Sequence, residues 1–152
     1  MVGELVIRPA RADEREVLEQ LQWRSSLIWE SHRDDLLAHP DAIDLPAEWI
    51  AAGRVFVAER LGEAVGFCVV LSRGAGEAEL DGMFVDPGAM GGGVGRELMA
   101  QAERIARSEG AGVLMVVADP HAERFYLKLG FERAGETVTR FGAAHLLRKP
   151  LL

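Results

Sequence analysis

Apolar and polar positions in the first third of the chain predict one strand followed by helical segments. Residues 5–10 alternate towards a turn, as a short strand does. The next run has helical periodicity, with Asp13 or Ala12 at its start. Pro40 and Pro46 divide the stretch after it into short helical pieces. The apolar stripe of the first helix consists of Val17, Leu18, Leu21, Leu27 and Ile28.

The middle of the chain alternates between strand-like runs and very short connections. The runs cover residues 54–60, 64–72 and 77–87, and residues 61–63 and 73–76 join them. Connections of this length usually join neighbouring antiparallel strands, so the pattern predicts a β meander.

The last third of the chain predicts two helices set between strands. An amphipathic helix covers residues 94–108 and is stopped by the glycines that follow it. Residues 113–118 are apolar without interruption, which is typical of a strand buried on both faces. Asp119 then fits a helix N-cap, with Pro120 as the first helical residue and Gly130 at the helix end. The tail predicts one or two closing strands.

A glycine-rich turn, MGGGVG at residues 90–95, leads from a predicted strand into the helix at 94–108. The first N–H groups of a helix have no partner within it, and they lie at the positive end of the helix dipole. Glycines there keep side chains away from a ligand that approaches the backbone. The turn therefore predicts a site for phosphate oxygens.

Length and composition limit the classes of protein to consider. The 152 residues suffice for one domain with a hydrophobic core, and the net charge of −7 argues against a nucleic-acid partner. No apolar run approaches the roughly 20 residues of a membrane helix, and no secretory signal opens the chain. The single Cys68, inside an apolar run, predicts a buried inert thiol and fits a reducing cytoplasm. The four histidines lack ligand spacing, so no metal is expected.

Two segments resemble the signature motifs of the GNAT superfamily of acetyl-CoA-dependent N-acetyltransferases. VDPGAMGGGVGRELM (85–99) is similar to the family's Q/R-x-x-G-x-G/A motif, and ADPHAERFYLKLGF (118–131) to its N-x-x-A-x-x-F-Y-x-x-x-G-F segment. The resemblance implies a single α/β (α+β) domain over residues 1–152. In such a domain helices flank a central mixed, mostly antiparallel sheet with splayed parallel middle strands. It also implies acetyl-CoA as cosubstrate, no metal, and direct transfer in a ternary complex to an amine of a small molecule or protein. Dimers are common in the superfamily, so a homodimer is compatible with it.

The resemblance also assigns contacts with the cosubstrate. The strand end, Met83, Phe84 and Val85, would meet the pantetheine arm and the acetyl carbonyl through its backbone. The second motif would contribute Asp119, Ala122, Phe125 and Tyr126. Met90 stands where the family has Gln or Arg, and Asp119 where it has Asn, with a plain N-cap role as the alternative for Asp119. The diphosphate would lie on Met90, Gly91, Gly92, Gly93, Val94, Gly95 and the N–H of Arg96.

Three side chains are candidates for proton transfer. Tyr126 matches the family's tyrosine, whose phenol protonates the leaving thiolate; core packing beside Phe125 is the alternative. Direct transfer needs a neutral amine, so the site must accept a proton. Glu79 resembles the catalytic glutamate of the histone-type branch and is the candidate base. Asp81 shares its strand face and is the second candidate, directly or through water. A solvated polar face is the alternative for both.

An aromatic and acidic segment falls where the superfamily has its acceptor wall. Aromatic rings and carboxylates would suit a cationic amine, although tryptophans on an amphipathic helix also serve as core residues. The residues concerned are Trp23, Trp29, His32, Asp34 and Asp35.

Other glycine-turn proteins fit less well. A dinucleotide-binding domain would carry its fingerprint in an opening βαβ unit, whereas this turn follows a meander. A P-loop would need Gly-Lys-Ser/Thr after the turn, and none is present. A non-catalytic acyl-CoA-binding sensor with the same fold stays open as the alternative to an enzyme.

Overall fold

A computed structural model describes residues 3–27, 30–139 and 142–151. Short 3-10 turns lie at Ala12–Glu14, Pro40–Ala42 and Pro87–Ala89. The predicted helical pieces around the prolines and the two closing strands are confirmed. The described strands and helices, in chain order, are β1 (Leu5–Pro9), α1 (Arg15–Leu27), α2 (Glu30–Ala38), α3 (Ala47–Ala51), β2 (Val55–Arg60), β3 (Glu63–Gly74), β4 (Glu77–Val85), α4 (Val94–Ser108), β5 (Val113–Ala118), α5 (Glu123–Lys128), β6 (Glu132–Thr139) and β7 (Gly142–Pro150).

The strands form one seven-stranded sheet in the order β1-β2-β3-β4-β5-β7-β6. The β1/β2, β2/β3, β5/β7 and β6/β7 pairs are antiparallel, whereas β4 and β5 are parallel. The parallel register runs only from Glu77↔Val113 to Leu80↔Val116, although β4 continues to Val85 and β5 to Ala118. The predicted mixed, mostly antiparallel sheet with splayed parallel middle strands is confirmed.

Two-residue turns produce the predicted meander. Leu61 and Gly62 join β2 to β3, and Ala75 and Gly76 join β3 to β4. All four have positive φ, between 54° and 80°. Such turns have the backbone twist that neighbouring antiparallel strands require.

The chain divides into two compact units, residues 1–69 with 83–101, and residues 70–82 with 102–152. The prediction of a single domain over residues 1–152 stays a prediction. In the first unit the large buried side chains come from α1, β2, β3 and α4, and the free Cys68 is buried as predicted. In the second they come from the end of β3 and from β4, β5 and β7, while the end of α4 contributes the small buried residues Ala102 and Ala106.

Helix α1 buries a narrower stripe than predicted. Leu18, Leu21 and Ser25 are buried, whereas Val17 is 48% exposed. Val17 lies beside this i, i+3, i+7 stripe rather than on it, so the prediction for Val17 was wrong. Ile28 falls outside the described residues. The helix begins at Arg15, after a 3-10 turn, rather than at the predicted Asp13 or Ala12.

Strand β5 is buried on one face only, so the prediction of burial on both faces was wrong. Leu114, Val116 and Ala118 are buried, whereas Val117 is 42% exposed and Met115 is half-buried. Met115 and Val117, on the other side of β5, line an open groove. An apolar run fixes what a strand could bury, not which of its faces another element covers.

Candidate active site

The glycine loop, residues 90–95, leads from the end of β4 into α4. Gly91 and Gly93 have φ of 82° and 83°, a conformation that other residues adopt with strain. Helix α4 begins at Val94, and the N–H of Glu97 donates to the carbonyl of Gly93 at 3.1 Å. Within the described chain no group accepts a hydrogen bond from the N–H groups of residues 90–96. This loop can therefore donate several backbone hydrogen bonds to an anion.

Asp86 holds the segment that precedes the glycine loop. Its Oδ1 accepts from the N–H of Gly88 at 3.1 Å, and its own N–H donates to the carbonyl of Val65 at 2.8 Å. Its Oδ2 accepts from Arg24 Nη2 on α1 at 2.8 Å. The hydrogen bond from Arg24 lowers the pKa of Asp86, because it stabilises the carboxylate.

The end of β4, residues 83–85, is half-buried and packs closely inside its unit. The ring of Phe84 lies 5.2 Å from that of Phe67, centroid to centroid. Gly66 on β3 faces Val94 and Leu98 of α4 and the carbonyl of Phe84, and leaves no room there for a side chain. Close packing in the first unit thus holds both the strand end and the start of α4.

Glu79 and Asp81 lie on the same face of β4, as predicted, since Ala78 and Leu80 between them are buried. Glu79 forms an ion pair with Arg73 of β3. Asp81 keeps access to solvent, yet surrounding protein atoms desolvate its carboxyl and raise its pKa, while the charge of Arg73 partly opposes this.

A groove of about 340 Å³ opens on this face of the second unit. Met115, Val117 and Leu146 provide its apolar side chains, and Glu77, Glu79 and Arg73 its charged ones. The groove can therefore receive a ligand that combines an apolar body with a positive charge.

The second motif forms a turn and then the short helix α5. Asp119 Oδ1 accepts from the N–H groups of His121 and Ala122, at 2.9 and 3.3 Å. This turn occupies residues 120–122, so α5 begins at Glu123 and the prediction of Pro120 as the first helical residue was wrong. The prediction of Asp119 as the N-cap of the helix was also wrong, because the N-cap is Ala122 and Asp119 instead caps the preceding turn.

Tyr126 is buried, with 6% of its surface exposed, while Phe125 is 36% exposed. The Tyr126 ring makes edge-to-face contacts with Phe125 and Phe131, with centroids 5.3 and 5.5 Å apart. Packing between rings in this geometry fixes the orientation of the phenol.

Four arginines beside the candidate residues escaped the sequence analysis. Arg24 pairs with Asp86 and Arg73 with Glu79, and Arg60 lies next to Gly92. A fourth, Arg133, pairs with the buried Glu123 of α5, whose Oε2 also lies 2.9 Å from His145 Nδ1. Both contacts lower the pKa of Glu123, and the hydrogen bond from Arg133 has the larger effect. Arg24 and Asp86 are 62 residues apart in the sequence, so no local sequence pattern predicts their contact.

The predicted acceptor wall is only partly described. Trp23 is half-buried and Asp34 is exposed. Trp29 lies outside the described residues, as do the side chains of His32 and Asp35. The wall stays a prediction.

The sheet with one parallel strand pair, and the glycine loop that begins α4, define an α/β protein in which the turn before a helix has backbone N–H groups available to an anion. The chain belongs to the GNAT acetyltransferase family, because the model of the "Acetyltransferase (GNAT) family" matches residues 16–131. No curated protein sequence matches the chain.

Solved structures share this fold. PaiA N-acetyltransferase from Thermoplasma acidophilum, in complex with coenzyme A, is 17% identical with a TM-score of 0.80, over 97% of this chain and 99% of that one. A GCN5-related N-acetyltransferase from Rhodopseudomonas palustris is 21% identical with a TM-score of 0.79, over 99% of this chain and 98% of that one. Nourseothricin acetyltransferase is 30% identical with a TM-score of 0.59, over 64% and 65%.

No helix in the described part of the chain is long and apolar enough to cross a membrane. Among the described residues, no group of three or more His, Cys, Asp or Glu side chains is placed to hold a metal ion.

Proposed function

We propose that the protein transfers the acetyl group of acetyl-CoA directly to a primary amine, with both substrates bound in a ternary complex. The observation that carries this proposal is the row of backbone N–H groups at residues 90–96, which have no acceptor in the described chain. Membership of the acetyltransferase family supports it. So does the shared fold of the Thermoplasma acidophilum enzyme, which was solved with coenzyme A.

In this proposal the glycine loop binds the diphosphate of coenzyme A. The loop and the N–H of Arg96 lie at the N-terminal end of a 15-residue helix, where the dipole favours negative charge. Backbone groups of residues 83–85 would orient the pantetheine arm and polarise the acetyl carbonyl. Asp119, Ala122 and Phe125 would line the cosubstrate from the second motif.

Asp81 is the better supported of the two candidate bases. A general base works best when its pKa lies near the working pH, and desolvation by neighbouring protein atoms raises the pKa of the solvent-accessible Asp81. Arg73 donates a hydrogen bond to Oε2 of Glu79, and protonation of that carboxylate would give up the ion pair between them. We therefore assign proton removal to Asp81, and to Glu79 the attraction of a cationic acceptor into the groove.

Tyr126 is the proposed acid that protonates the departing thiolate of coenzyme A. Its ring is fixed by Phe125 and Phe131, which would hold the phenol in one orientation towards the sulfur. With 6% of its surface exposed, Tyr126 is largely shielded from bulk water, which would favour proton transfer to the sulfur.

Release of free thiol from acetyl-CoA, measured with a panel of primary amines, tests the proposal. We expect turnover with at least one amine, a loss of about 100-fold in kcat for Asp81→Asn, and a similar loss for Tyr126→Phe. The matched control is Glu132→Gln, which removes an exposed carboxylate from β6 that does not line the groove. Coenzyme A binding without thiol release by any amine would favour the non-catalytic sensor instead, a reading that the ion-paired Glu79 also supports.

The remaining expectations belong to the same proposal. We infer a cytoplasmic enzyme with one catalytic domain over residues 1–152, because the chain has one cysteine and an uninterrupted succession of elements. The acceptor is a small molecule or a protein amine, and a homodimer is compatible with the family.

A further inference from the structure

Arg60, the last residue of β2, holds its guanidinium against the glycine loop. Its Nε donates to the carbonyl of Gly3 at 3.1 Å, which fixes the plane of the group. Its Nη1 lies 3.5 Å from the point that a Cβ would occupy on Gly92. Arg60 itself is half-buried. The positively charged guanidinium of Arg60 therefore lies beside the glycine loop, whose backbone N–H groups can donate to an anion.

The charge of Arg60 is not neutralised by a carboxylate in the described residues. Two neighbouring arginines of the same unit differ in this respect. Arg8 is paired with Glu14 and Glu59, and Arg24 with Asp86. Because the bond to Gly3 uses only Nε, the two terminal nitrogens of Arg60 remain to donate to a ligand.

The glycine loop has no cation at its own first position, since Met90 is apolar and 53% exposed. A guanidinium fits phosphate oxygens better than any other side chain, because its planar fork donates two parallel charge-assisted hydrogen bonds. Arg60 reaches the loop from another strand and brings this group to Gly92.

We propose that Arg60 binds a phosphate group of the cosubstrate at Gly92, an assignment that deepens the proposed function and rests on it. Its place beside the middle of the loop points to the diphosphate of coenzyme A rather than to the 3′-phosphate. The side chain would add to the backbone N–H groups a charge that they lack.

Calorimetric titration with coenzyme A tests this assignment on the whole protein. We expect Arg60→Gln to raise the Kd for coenzyme A about tenfold or more, and Arg60→Lys to raise it less, since lysine keeps the charge but loses the fork. The matched control is Arg148→Gln, which removes the same charge from a solvent-accessible ion pair with Glu132 and should leave Kd within about twofold of the wild type.

Three ligands separate a phosphate contact from a structural effect. Arg60→Gln should weaken coenzyme A and dephospho-coenzyme A by the same factor, while pantetheine, which has no phosphate, should bind as it does to the wild type. In assays with acetyl-CoA, Arg60→Gln should raise KM for acetyl-CoA and leave kcat unchanged. Equal thermal midpoints for Arg60→Lys and the wild type show that the fold is intact.

The outcomes are distinct. If the wild type does not bind coenzyme A, the proposed function falls and this inference falls with it. If the wild type binds but Arg60→Gln and Arg60→Lys bind as tightly, only the role of Arg60 is overturned. A loss confined to coenzyme A, with dephospho-coenzyme A unaffected, overturns the diphosphate assignment in favour of the 3′-phosphate.

Discussion

Replacement of Gly66 by alanine tests whether β3 and α4 are packed as closely as the structure shows. A Cβ at position 66 would lie 2.9 Å from Val94 Cγ1, 3.0 Å from the carbonyl oxygen of Phe84 and 3.2 Å from Leu98 Cδ1. The first two cannot easily give way, because one belongs to a buried β-branched residue and the other to the backbone. Overpacking of this kind costs about 1–3 kcal/mol. Alanine also restricts the unfolded chain, which offsets about 0.4–1 kcal/mol.

We therefore expect Gly66→Ala to lower the free energy of unfolding by about 1.5 kcal/mol, or Tm by roughly 3–6 °C. Urea unfolding should show a lower midpoint at an unchanged slope. Coenzyme A should also bind more weakly, since Val94 begins α4 directly after the glycine loop. The matched control is Gly88→Ala, whose added Cβ meets nothing nearer than Asp86 Oδ1 at 3.7 Å. Equal stability and affinity for Gly66→Ala and the wild type would refute the close approach.

Three further predictions use contacts away from the catalytic groups. Glu14→Gln should lower the free energy of unfolding in urea by about 2 kcal/mol, because buried Glu14 accepts two hydrogen bonds of 2.8 Å from Arg8. The control Glu132→Gln, which breaks a solvent-accessible ion pair, should lower it by less than about 0.5 kcal/mol, and equal losses would contradict this reasoning. The pKa of Asp86 is lowered in the folded state, so its contribution is present above the unfolded value of about 3.9 and is lost as pH falls through the folded pKa. Urea midpoints should therefore fall less in acid for Asp86→Asn than for the wild type, and parallel curves would exclude the effect. Burial raises the pKa of Cys68 to about 12, so iodoacetamide should label that thiol only after unfolding; rapid labelling of the native protein would show the burial to be wrong.

Local signals decided which parts of the fold could be predicted. Helix α4 has the predicted bounds, 94–108, because a glycine turn starts it, its apolar stripe is regular and glycines follow it. The predicted start of α5 was wrong because Asp119 caps a turn that includes Ala122, so the helix begins after this turn. The predicted burial of the second face of β5 was wrong because the elements that cover a strand are distant in sequence, and an apolar run does not identify them.

The same distinction between local and distant causes separates the two candidate bases. From the sequence, Glu79 and Asp81 are two carboxylates on one strand face, and nothing in their spacing ranks them. The structure makes them unequal, because Arg73 holds Glu79 in an ion pair whereas desolvation by neighbouring protein atoms raises the pKa of Asp81. Desolvation disfavours the ionised form of a carboxyl group, so Asp81 takes up a proton more readily than a fully solvated aspartate does. Arg73→Met should therefore lessen the difference in kcat between Glu79→Gln and Asp81→Asn, and an unchanged difference would show that the ion pair with Arg73 does not rank the two carboxylates.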